Sequence, residues 1–117
     1  MLSQRLRHRI EFQERTEIFE SSGESVGFEW RTADLDGTLL DDVPAEVLTG
    51  PGREFIAADA KQSETSARIN LRWFSGLDPT WRILWEGKRF NIVEIGLDAT
   101  ARKEYRLRCA DGVDDGN

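Results

Sequence analysis

Two aspartates separated by one residue, in the run Asp34-Leu35-Asp36-Gly37-Thr38-Leu39-Leu40-Asp41, are the residues best suited by type and spacing to chemistry. In phosphoryl transfer the first carboxylate could attack phosphorus and the second protonate the leaving group, beside a Mg²⁺ ion. That chemistry needs a buried strand that delivers the pair to the C-terminal edge of a doubly wound α/β sheet. Here the preceding residues are Glu29-Trp30-Arg31-Thr32-Ala33, and no alternation of strands with helices follows. The run is no better as a Ca²⁺ loop: glycine follows the second Asp at once, and no helix flanks it. A solvated acidic loop with a glycine turn suits that context.

The run resembles the Asp-x-Asp-Gly-Thr signature of haloacid-dehalogenase-type phosphatases, which implies Asp34 as nucleophile and Asp36 as acid/base. The chain is short for that fold and its later Lys and acidic motifs. The other reactive side chains do not form a set. A single cysteine, Cys109, cannot make an internal disulfide, and with a single histidine, His8, the usual Cys/His zinc site is excluded. Cys109 reads as a small buried hydrophobe and His8 as a satisfied core or interface histidine. Trp30, Trp73, Trp81 and Trp85 could stack on bases. Trp73, Trp81 and Trp85, however, lie on the apolar parity of their strands, where large rings fill a small core. No catalytic residue, metal or cofactor is expected, and the chain is not read as an enzyme.

The elements that carry these residues are strands. Leu6, His8, Ile10 and Phe12 alternate with Arg5, Arg7, Arg9, Glu11 and Gln13, a half-buried strand with a largely cationic outer face. After the turn at residues 21–25, Val26, Phe28 and Trp30 share one face of a second strand. The pattern lapses over residues 31–42. It resumes at Val43, Ala45 and Val47, where Pro44 implies an edge strand or a proline facing outward. Ala67, Ile69, Leu71 and Trp73 form a further strand, then Trp81, Ile83 and Trp85. Glu86-Gly87 is a two-residue hairpin signal. Tyr105, Leu107 and Cys109 close the series against Glu104, Arg106 and Arg108. The expected fold is all-β: a small barrel of about six or seven antiparallel strands with a long loop or short helical turn.

With 117 residues, 38% hydrophobic and 32% charged, the chain suits one soluble domain, read as residues 1–110 followed by a flexible acidic tail at 111–117. The apolar runs are too short for a membrane-crossing helix, and the N-terminus has no apolar signal core, so a cytoplasmic protein is expected. A net charge of −6 argues against tight DNA binding, which needs a basic surface. The charge is uneven. A basic row at Arg5, Arg7 and Arg9 precedes an acidic stretch that includes Asp41, Asp42 and Glu46. In an oligomer the row of one copy could meet the acidic stretch of the next.

Laid end to end, LRHRIEFQ, GESVGFEW, LTGPGREFIAADAKQSETSARINLRW, LDPTWRILWEGKRFNIVEIGLD and YRLRC resemble the head–tail joining, or head-completion, family of long-tailed phages and gene-transfer particles. The departure is residues 33–42, which look like an altered connection. The resemblance implies a head-closure (stopper) protein. Homo-oligomeric rings of about six or twelve copies would sit below the portal and its adaptor, retain packaged DNA and dock a tail terminator or tail tube protein. It also implies duplex DNA passing through the channel, and a life in the host cytoplasm during assembly and then in the particle's head–tail connector. Two other components of the same junction are alternatives: an adaptor, which should be largely helical, and a tail terminator, which should pack helices on a sheet.

Residues 49–66 are expected to be the mobile element that reaches the channel. Gly50, Pro51 and Gly52 make a pivot, and beyond them Arg53, Glu54, Phe55 and Lys61 are the candidate channel-facing residues. A short helix capping one end of the barrel, plugged by Phe55 and Ile56, is the competing arrangement.

Overall fold

A computed structural model of the chain describes residues 5–49, 66–97 and 103–112. Its elements are β1 (His8–Phe19), β2 (Ser25–Thr32), β3 (Asp34–Leu35), β4 (Thr38–Leu39), β5 (Val43–Thr49), β6 (Ala67–Arg72), β7 (Arg82–Trp85), β8 (Lys88–Leu97) and β9 (Glu104–Asp111). The period-two pattern decides which side of each strand turns inward. In β6, Ala67, Ile69 and Leu71 are buried while Arg68, Asn70 and Arg72 face outward. In β9, Tyr105, Leu107 and Cys109 are buried. Each large aliphatic or aromatic side chain taken from water contributes about 1.5–3 kcal/mol.

The sheet runs β2-β1-β5-β6-β9-β8-β7, and β1 pairs again with β7, so six antiparallel strands close on themselves with β2 outside the circuit. Closure removes the barrel's free edges. β1 is the strand that makes it possible. Its start pairs with β5, with Ile10 opposite Val43. Its middle pairs with β7, with Phe12 opposite Ile83. From Gln13 onward it pairs with β2, up to Phe19 opposite Ser25. The core gathers around Phe12, whose ring lies 5.7 Å from Trp81 and 6.1 Å from Phe74.

Three local expectations meet different fates. Glu86 and Gly87, both with positive φ, turn β7 into β8 as the hairpin signal requires. β5 is an internal strand and not an edge, but Pro44 does face away from the core. Pairing with β6 starts one residue later, at Ala45, so the missing N–H of Pro44 removes no bond to β6. The first strand extends six residues past Gln13. The added stretch, Glu14 to Phe19, has no buried face to impose a pattern, so its charges conceal it.

Candidate functional site

The acidic run at 34–41 is a tiny hairpin thrown out between β2 and β5. Backbone bonds pin its neck: the Phe12 N–H donates to Leu40 O at 2.9 Å, Ala33 N to Phe12 O at 2.7 Å, and Leu40 N to Ala33 O at 2.9 Å. Ala33 and Leu40 are buried at that neck, while Asp34 and Asp36 are exposed. Asp36 and Gly37 both have positive φ and form the two-residue turn between β3 and β4. Asp34 Oδ1 accepts from the Gly37 N–H at 2.7 Å, so this carboxylate caps its own turn. No doubly wound sheet stands behind the pair. Among the described residues no three His, Cys, Asp or Glu side chains come together to hold a metal ion. The altered connection noted in the sequence is thus an excursion from the side of β1, between the stretch paired with β5 and the stretch paired with β2.

A second constellation lies on the outer wall formed by β5, β6 and β9. The Arg5 guanidinium donates to Glu46 Oε1 at 2.9 Å and to Glu104 Oε2. Asn70 Nδ2 donates to the same Glu46 oxygen at 2.9 Å, and Arg106 Nη2 lies 3.4 Å from Glu104 Oε1. Glu104 is buried beneath these cations. The basic row and the acidic stretch therefore meet inside one subunit at Arg5 and Glu46. Arg7, Arg9, Asp41 and Asp42 are exposed, so these candidate interface residues stay at the surface. Glu104 and Asn70 were not singled out from the sequence. The signal for Glu104 was a lone carboxylate in the otherwise cationic row Arg106 and Arg108.

The donated bonds from Arg5, opposed by partial burial and aided by Asn70, hold the Glu46 carboxyl below its ordinary range. A depressed carboxylate contributes stability above its unfolded value and loses it as pH falls through the folded one. Glu46→Gln should therefore be less stable than the parent chain at neutral pH. The gap should close as pH drops below the ordinary glutamate range, as urea titrations at several pH values would measure.

Most of the aromatic and cysteine readings hold. Trp81 is buried, and Trp73 and Trp85 pack against the core. His8 Nδ1 accepts from the Val47 N–H at 3.2 Å, and its ring meets Trp85 edge-on at 5.2 Å. Burial pushes the Cys109 thiol up to about 12, so it is an unreactive core group. Trp30 differs: it stands outside the core, with the Arg82 guanidinium 4.3 Å above its ring. Gly50, Gly52, Arg53, Glu54, Phe55 and Lys61 lie outside the described residues, as does the tail from residue 113. β9 runs on to Asp111, and the Gly112 N–H donates to Arg89 O at 2.7 Å, just past the domain boundary expected at 110.

This is a small closed β-barrel whose conspicuous features are walls, an excursion and a projecting strand pair. The chain belongs to the phage head completion protein family, which matches residues 1–112. Membership gives it a role in phage head assembly, among other head and tail proteins. Its fold is similar to the solution structure of protein SF1141 from Shigella flexneri 2a. The TM-score is 0.68 at 27% identity, over 97% of this chain and 99% of that one. No curated protein matches the sequence. No described helix is long and apolar enough to cross a membrane.

Proposed function

We propose that this chain is a head–tail connector of the stopper kind. Copies form a ring below the portal and its adaptor, retain packaged DNA and offer the surface on which the tail docks. The observation that carries the reading is the head completion family match across residues 1–112 on a closed barrel. One such barrel cannot block a channel wide enough for duplex DNA, whereas a closed ring of head-to-tail contacts can. The net charge of −6 suits a conduit, since a cationic lining would hold DNA back through counterion release. The reading needs no catalysis and no cofactor. Residues 49–66 are the candidate gate, with Gly50, Gly52, Arg53, Glu54, Phe55 and Lys61 in its channel-facing loop. A largely helical adaptor and a terminator with helices on a sheet fit the nine described strands less well.

Deleting the gene should leave heads that fill and then lose their DNA, beside detached tails. Electron microscopy and measurement of nuclease-protected DNA would detect both. Normal, infectious particles assembled without the protein would sink the reading.

A further inference from the structure

The hairpin of β1 and β2 is open on both flanks. β7 stops pairing at Gln13, so beyond it β1 holds only β2, and β2 pairs with no other strand. A two-stranded ribbon is marginal by itself in water. On one face of this arm Arg15 stands opposite Trp30 and Glu17 opposite Phe28, with the Arg15 guanidinium 4.2 Å above the Phe28 ring. Phe28 is nevertheless 43% exposed, and toward the tip Val26 and Phe19 are 56% and 59% exposed. Apolar side chains gathered on one projecting element mark a contact surface.

Charge indicates what covers it. Between residues 14 and 31 the arm carries Glu14, Glu17, Glu20, Glu24 and Glu29 against Arg15 and Arg31, a net of −3. Strands β5, β6, β8 and β9 together with Arg5 carry seven Arg and Lys against four Asp and Glu, a net of +3. In the closed strand order β9 lies three strands from β1 in either direction, so the basic wall is opposite the strand that extends into the arm. A projection on one side and a complementary receiver on the other are what a heterologous contact between identical subunits requires.

We propose that the β1–β2 arm clasps the basic β5–β6–β9–β8 wall of a second copy of this chain. The proposal rests on the ring-forming reading and supplies its subunit contact. Sedimentation equilibrium of the full chain tests it. Self-association should appear at low ionic strength and weaken as salt is added. The arm variant Phe28→Ser/Glu20→Lys/Glu24→Lys changes only exposed positions and should keep the parent circular dichroism. Its self-association should fall roughly tenfold or more. The wall variant Arg72→Glu should fall likewise, and mixing the two variants should restore association between them through their swapped charges. Unchanged association in the arm variant overturns the proposal and leaves the ring reading standing. A parent chain that stays monomeric at high concentration also overturns it, while DNA retention in particles decides the ring reading separately. Unchanged self-association with loss of tail attachment gives the arm to a tail-side partner and overturns the second copy.

Discussion

Phe12→Ala should cost about 3–5 kcal/mol of folding stability, enough to leave a large share of a domain of this size unfolded at physiological temperature. Phe12 is 0% exposed, and its ring meets Trp81 and Phe74 at the point where β1 passes from β5 to β7. Truncation removes the apolar surface of the ring and leaves a cavity under strands that are tied to each other around a closed circuit and cannot collapse inward freely. The same residue's backbone anchors the 33–40 neck. Loosening β1 should therefore also free the excursion, seen as faster amide exchange at Ala33 and Leu40. A urea midpoint close to that of the parent chain would show that Phe12 is not the keystone of closure.

Arg5→Met should be the most damaging change at an outward-facing side chain, costing about 1–3 kcal/mol. It removes the guanidinium that Glu104, 5% exposed, holds beneath it, while Arg106 stays at 3.4 Å from the same carboxylate. The Arg5 side chain is 40% exposed, so water can enter where it stood, and this keeps the cost below that of breaking a fully buried pair. Adding Glu104→Leu to Arg5→Met should recover part of the loss, because the buried carboxylate that Arg5 served is then gone. Chemical denaturation of the parent, both single variants and the double variant closes the cycle. A double variant weaker than the sum of the singles would mean that the carboxylate has a second structural duty.

Much of the fold was legible because strand periodicity is local. Ala67, Ile69 and Leu71 announce a buried face within six residues, and Glu86-Gly87 announces its turn within two. The arm was half legible: Val26, Phe28 and Trp30 gave a strand, but its partner at 14–19 has no buried side to set a pattern. The acidic run misled in the opposite way. Its carboxylate spacing matches a catalytic motif, yet the backbone around it makes a two-residue hairpin turn, and the motif has no means of encoding the sheet a catalytic pair would need.

The sequence by itself determined the all-β class and the parity of the core, because each depends on residue types a few positions apart. The head completion resemblance was likewise present in the order and spacing of its stretches, and it matches residues 1–112. Only the tertiary structure decided that β1 closes on β7, that residues 33–40 leave the sheet through a neck at Phe12, and that Arg5 joins Glu46 and Glu104, 41 and 99 residues away. Those outcomes depend on which edges meet and in what register. A one-residue shift in pairing turns every side chain to the other face, so register is chosen by the whole core at once and cannot be read from any single strand.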